Sequence, residues 1–230
     1  IVNGKSERGD FPVYQMPMRQ WVLAITKYAD RLVDDLELLP KWPEKVKNAQ
    51  RNWIGRSEGY QFKFETTAGI NMPVYTTKVE TLPGATFVVL APENEIVQQL
   101  LAYAGNVKDV EDYIEQARQK TELDRQVVTT KTGVIIEGVT ATNASTGEQI
   151  PVVVADYVLS SYGTGAVMAV PAMDERDQEM ANVLNLPVVP VGEIEPVEVA
   201  KMVNATSEKR YKLRDWVFSR QRFWGEPFPI

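Results

Sequence analysis

The stretch Ser160–Asp177, SSYGTGAVMAVPAMDERD, decides how the middle of this 230-residue chain is read. Gly163 and Gly165 bracket Thr164, and glycines so placed let the backbone turn and let another group approach it closely. Ala166–Val170 is a short run of small apolar residues, the pattern of a buried strand. Pro171 closes it. Asp174, Glu175 and Asp177 then fall in the first turn of a helix expected over Asp174–Leu184, where carboxylates suit the helix dipole. A glycine turn, a strand and an acidic helix start can form a pocket for a small charged ligand. The same pattern also describes an ordinary strand-to-helix connection with a solvated acidic turn.

Strand signals extend outward from this stretch. Tyr60–Glu65 alternates aromatic and polar residues and predicts a half-buried strand, followed by a turn and a second strand over Asn71–Thr77. Pro83-Gly84 marks a turn before a buried strand at Ala85–Leu90. Gly133–Ala141 and Gln149–Val154 read as strands around a turn, and Asp156–Leu159, Pro187–Val191 and Lys212–Val217 as short strands. Helical spacing appears from Thr26 to Leu39, from Pro43 to Asn52, over Glu93–Tyr103 and Val107–Thr121, and over Val197–Val203. Asn106 is the expected side-chain cap of the Val107 helix. Strands outnumber helices in the middle of the chain. The expected fold is therefore mixed α/β, a barrel-like β core with peripheral helices.

Composition narrows the chemistry. The chain has no cysteine and no histidine, so disulfides and the commonest metal ligands and neutral-pH base are absent. Chemistry must rest on carboxylates, hydroxyls, backbone dipoles, lysine or arginine, and no EF-hand spacing appears. A net charge of −6 argues against broad electrostatic binding of nucleic acid, though not against one nucleic-acid end in a small pocket. No apolar run approaches a membrane span. The start, IVNGKSERGD, lacks the apolar core of a signal peptide.

Four segments, in this order, carry a family resemblance: RNWIGRSEG at Arg51–Gly59, YTTKVETLPGATF at Tyr75–Phe87, YGTGAVMAVPAMDERD at Tyr162–Asp177, and LRDWVFSRQRFWGEPFPI at Leu213–Ile230. Together they resemble the bacterial-type leucyl-tRNA synthetase family over nearly the whole chain. The region looks like that family's editing insertion (connective peptide 1) with flanks from the catalytic half. The implied fold is the class I aminoacyl-tRNA synthetase editing-domain fold. The implied organisation is an N-terminal flank over 1–54, an editing domain over 55–211 and a return segment over 212–230. The family's HIGH and KMSKS signatures are not in this stretch, so the resemblance implies neither leucine activation nor tRNA charging here. It implies proofreading: hydrolysis of the ester joining a wrong amino acid, such as norvaline or isoleucine, to the terminal adenosine of tRNA(Leu). No cofactor is implied for this stretch, whereas the full-length enzyme uses ATP and Mg²⁺. The rest of the synthetase is the implied partner, in a monomeric, cytoplasmic enzyme.

The resemblance also assigns residues. Asp177 matches the aspartate that holds the substrate α-ammonium, Thr81 the residue that blocks leucine, and Thr76 and Thr77 the hydroxyls beside the ester. Thr76, Thr77 and Asp177 are thus the expected catalytic set. Thr81, Lys78, Tyr162, Met168, Val170 and Asp174 are expected to bind substrate, with Tyr162, Met168 and Val170 on the adenosine side. The sequence departs from the family pattern in three places. Ser6 and Gly9 stand where many relatives carry zinc-binding cysteines, so no metal is expected. Lys78, Val79 and Glu80 replace arginine, proline and aspartate of the usual TTRPDT; a local Lys78–Glu80 ion pair is compatible with this. Met173 replaces the histidine of HDERD. If that histidine is essential, the domain is a degenerate module that is structural or binds the tRNA end. If it only shapes the pocket, hydrolysis persists. The segment after Val191 also looks shorter than in relatives. Arg214, Arg220 and Arg222 with Trp216 and Trp224 have the make-up of a basic-aromatic patch, but the resemblance implies rings packed on the catalytic domain.

Overall fold

The computed structural model describes residues 5–11, 19, 21–120, 132–159 and 163–218. Nine strands are described: β1 (Val22–Leu23), β2 (Ser57–Thr66), β3 (Asn71–Thr76), β4 (Phe87–Leu90), β5 (Gly133–Thr142), β6 (Gln149–Ala155), β7 (Ala166–Ala169), β8 (Thr206–Arg210) and β9 (Trp216–Val217). The α-helices are α1 (Ala29–Asp34), α2 (Glu44–Ile54), α3 (Glu95–Leu101), α4 (Val107–Arg118), α5 (Glu175–Leu184) and α6 (Pro196–Met202). The chain divides into two compact units, a larger one of 1–14 with 59–208 and a smaller one of 15–58 with 209–230.

The larger unit is built on one sheet with strand order β3-β2-β5-β6-β4-β7. The β2–β3 hairpin is antiparallel, with Phe62 opposite Val74 and Phe64 opposite Met72. β4 runs parallel to β6 and antiparallel to β7, placing Val88 opposite both Val152 and Met168. The end strands β3 and β7 approach within 8 Å between Cα atoms, although no ladder joins them among the described residues. The sheet therefore curls like a barrel without closing its hydrogen bonds.

β4 explains why the sheet holds helices on both faces. All four of its residues are fully buried, and alternate side chains enter different apolar clusters. Val88 and Leu90 join Phe62, Phe64, Met72, Val97 and Val110, beneath α3 and α4. Phe87 and Val89 join Val153, Ala169 and Met180, beneath α5. A strand covered on both faces reads as a continuous apolar run rather than as an alternation.

Several local expectations differ from the structure, each for an identifiable reason. Asn106 occupies the N-cap position of α4 but makes no cap bond. Its amide donates to Ile135 O at 2.9 Å and accepts from Glu137 N at 3.0 Å. Those groups lie where the β5–β6 register shifts, and an interrupted ladder needs outside partners. Residues 156–159 form a turn, not a strand. Pro187–Val191 carries two prolines and enters no ladder among the described residues. Of the strand expected over Lys212–Val217, only Trp216–Val217 forms, whereas polar Thr206–Arg210 pairs with β2. Its burial is low throughout, so no apolar alternation announced it.

In the smaller unit, α2 ends at Gly55, which takes φ 60° and ψ 51°. That left-handed turn sends Arg56 toward Asp30 at 3.0 Å and Asp34 at 2.8 Å on the α1 segment. Leu213 N then donates to Ile54 O at 3.0 Å, and Leu213 packs with Ala29 and Ile54. No helix among the described residues is long and apolar enough to cross a membrane.

Candidate functional site

A cavity of about 450 Å³ opens in the larger unit. One wall is the end of β3 and the 3₁₀ turn Val79–Gly84, contributing Tyr75, Thr76, Thr77, Lys78 and Thr81. The other wall is the turn after β6, strand β7 and the start of α5. It contributes Tyr157, Val158, Leu159, Val167, Met168, Val170, Met173, Asp174, Arg176 and Asp177. Every site residue expected from the sequence lies on this cavity except Tyr162, which falls outside the described residues. Gly163 and Gly165 take φ of 73° and 66°, the left-handed turn that feeds β7.

The threonine loop is held by its own backbone. Thr76 Oγ1 accepts from Lys78 N at 3.0 Å. Thr81 donates both its N–H, at 3.1 Å, and its hydroxyl, at 2.8 Å, to Lys78 O. The Thr81 side chain is buried and its rotamer is fixed by that bond. Thr77 is exposed, and its hydroxyl makes no hydrogen bond among the described residues. Lys78 is exposed and forms no ion pair with Glu80 among the described residues. It borders a second cavity lined also by Glu80, Glu193, Glu195 and Glu198.

The turn beneath Thr81 has a buttress that sequence reasoning missed. Asn143 is fully buried and donates to Leu82 O at 2.9 Å and Ala85 O at 3.2 Å. Its oxygen accepts from Ser145 N and Ser145 Oγ. Replacing it by alanine removes these bonds from a dry site, with an expected loss of about 2 kcal/mol. Urea unfolding of Asn143→Ala checks this, and an unchanged midpoint would count against the buttress.

Asp174 is the N-cap of α5, accepting from Arg176 N at 2.9 Å and Asp177 N at 3.4 Å. The Arg176 guanidinium grips the same carboxylate at 3.1 and 2.9 Å and holds its pKa below the usual range. Asp177, three residues on, is buried. Its Oδ2 accepts from Val170 N at 2.9 Å and its Oδ1 from the Tyr157 hydroxyl at 3.1 Å. Burial pushes its pKa up to about 6, against the lowering by the Val170 N–H bond. Tyr157 is itself pushed well above its ordinary range, first by burial and then by the Asp177 carboxylate. Met168 and Val170 present a buried apolar surface, and Met173 is 54% exposed on the same cavity. A recessed carboxylate facing hydroxyls across an apolar floor suits a ligand with one cationic group and one flat or aliphatic portion. Among the described residues, no group of three or more acidic side chains is placed to hold a metal ion.

The family described as leucyl-tRNA synthetase, editing domain, matches residues 51–226. The chain belongs to that family. Similar proteins agree. The leucine–tRNA ligase of Corynebacterium glutamicum (strain R) is 46% identical over 279 residues, covering 99% of this chain and 29% of that protein. That of Alkaliphilus oremlandii (strain OhILAs) is 43% identical over 264 residues, covering 100% of this chain and 33% of the other. A solved ternary complex of Agrobacterium radiobacter K84 agnB2 LeuRS with tRNA and LeuAMS superposes with a TM-score of 0.76. It is 34% identical, over 94% of this chain and 28% of that one. The chain thus spans about a third or less of the length of these leucyl-tRNA synthetases. Both aligned spans exceed its 230 residues, so those relatives carry residues with no counterpart here. The resemblance read in the sequence and the mixed α/β editing-domain fold it implied both hold.

Proposed function

We propose that this chain is the post-transfer editing part of a leucyl-tRNA synthetase. It hydrolyses the ester of a wrong amino acid, norvaline or isoleucine, on the terminal adenosine of tRNA(Leu). The observation that carries this reading is the convergence of Thr76, Thr77 and Thr81 with the recessed Asp177 on one cavity. Asp177 takes the α-ammonium of the ester in a charge-assisted bond. Thr76 and Thr77 offer hydroxyls to the ester and to an attacking water. Neither is a base at its own pKa, and no histidine is present, so rate comes from positioning that water and stabilising the oxyanion, with a ribose hydroxyl close by. Met168 and Val170 form an apolar surface for the adenine, and Tyr162 is assigned to the same side. The editing domain is assigned to 55–211, with 1–54 and 212–230 as its flanks toward the catalytic half. Leucine activation, with its ATP and Mg²⁺, belongs to the remainder of a monomeric, cytoplasmic synthetase.

The test is deacylation of norvalyl- and isoleucyl-tRNA(Leu) beside leucyl-tRNA(Leu), with this chain and with the full synthetase. Hydrolysis of the first two above the uncatalysed rate, with leucyl-tRNA spared, is expected. No hydrolysis by either protein would sink the reading. One observation favours a second reading, a degenerate module that only binds the tRNA end: Met173 on the cavity can pack but cannot relay a proton. Under it, Met173→His restores a hydrolysis that the native chain lacks.

A further inference from the structure

The Asp177 carboxylate is gripped from two directions. Val170 N, at the end of β7, binds one oxygen, and the Tyr157 hydroxyl, from the turn after β6, binds the other. Each carboxylate oxygen can accept two hydrogen bonds. Each has accepted one of these from the protein, which leaves acceptor capacity on both oxygens for an ammonium with three donors. The torsion that turns a carboxylate about its last bond is broad, and one anchored oxygen defines it less well than two. Tyr157 also lies on the cavity, and the turn that presents it is pinned. Asp156 N donates to the Tyr113 hydroxyl at 3.1 Å, and Lys120 Nζ pairs with the Asp156 carboxylate at 2.6 Å.

We infer that Tyr157 is a positioning residue: its hydroxyl fixes the plane in which Asp177 meets the substrate α-ammonium. This rests on the editing reading for the identity of the ammonium. The hydroxyl works through the carboxylate and not on the ester. Its pKa lies well above the ordinary range, so around neutral pH it stays a protonated donor. The other groups that act on Asp177 are on its own helix: Asp174, which opposes its ionisation, and Arg176, which favours it. Those two already bind each other through two contacts. Among the described residues, Tyr157 is therefore the side-chain hydrogen-bond donor that comes to Asp177 from another element.

Tyr157→Phe keeps the ring in the wall and removes the donor. Two measurements on the native chain and the variant test the inference. In a carboxyl ¹³C NMR titration, the Asp177 midpoint is expected to move upward by about one unit once the bond to the charged form is gone. In deacylation, KM for norvalyl-tRNA(Leu) is expected to rise about tenfold, with kcat changed less. The matching ester whose α-ammonium has been converted to a hydroxyl should be processed equally by both proteins. An unshifted midpoint, or an equal loss on both esters, would overturn the role. A native chain that hydrolyses neither ester would count against the editing reading instead, and the titration would still decide what Tyr157 does to Asp177.

Discussion

Asp177→Asn is expected to stabilise the chain at neutral pH and to lower deacylation roughly a hundredfold. The sign follows from the direction of the pKa shift. Burial raises the carboxyl from its ordinary 3.8 to about 6, so between those values the folded chain binds more protons than the unfolded one. Stability from this group is therefore fully present below about pH 4 and falls as pH rises through 6. The whole descent is on the order of 3 kcal/mol. Asparagine removes it. Its oxygen can accept from Val170 N–H, and its amide can donate to a Tyr157 hydroxyl turned to accept, so neither partner is orphaned. Part of the gain is offset by exchanging charge-assisted bonds for neutral ones, leaving an expected gain of about 1 kcal/mol at pH 7.5. Urea unfolding at pH 4.5 and 7.5 reads this directly: the native chain should weaken between the two and the variant should weaken less. A variant that unfolds earlier than the native chain at pH 7.5 would contradict the shift.

The same substitution tests function. A neutral amide cannot hold an ammonium as a carboxylate does, and removing such a bond is worth about 3 kcal/mol, or roughly a hundredfold in kcat/KM. The native activity should likewise fall as pH drops below about 6, where the carboxyl of the free protein takes up its proton. A site more stable without its functional charge is expected where binding chemistry, not folding, keeps the group buried. Retained deacylation at full rate in the variant would remove Asp177 from the ammonium site.

What the sequence disclosed divides along physical lines. β4 was legible because a strand buried on both faces is an uninterrupted apolar run, and Thr76 and Asp177 were legible because their motifs carry a family resemblance. β8 was not, because Thr206–Arg210 is polar and its pairing with β2 leaves no hydrophobic period. Tyr157 and Asn143 were missed for another reason. Each acts across more than 15 residues of chain, by a single hydroxyl or amide, on a group far away in sequence. No local pattern distinguishes such a residue from an ordinary turn tyrosine or turn asparagine. Asn106 shows the converse: its position predicted a cap, and a register shift in a distant strand claimed the side chain instead. Residues that connect elements carry little local signal, and the cavity depends on several of them.

Thr81→Ala is expected to turn leucyl-tRNA(Leu) from a spared ester into a substrate. The argument is steric and depends on how the side chain is held. Thr81 is buried on the cavity, and its hydroxyl is committed to Lys78 O at 2.8 Å, so its methyl keeps one direction. A fixed methyl can exclude leucine's branch while tolerating an unbranched or differently branched chain. Such discrimination is worth about 1–3 kcal/mol, so leucyl-ester hydrolysis relative to norvalyl should rise roughly 10- to 100-fold in the variant. Two companion substitutions separate the methyl from the hydroxyl. Thr81→Ser keeps the bond to Lys78 O and loses the methyl, so it should leak leucine as alanine does. Thr81→Val keeps the shape and loses the hydroxyl donor, while the residue-81 N–H still reaches Lys78 O, so it should go on sparing leucine. Deacylation ratios for the three variants decide the matter: serine behaving like the native residue, with valine leaking, would show that the hydroxyl and its bond to the loop, rather than the methyl, exclude leucine.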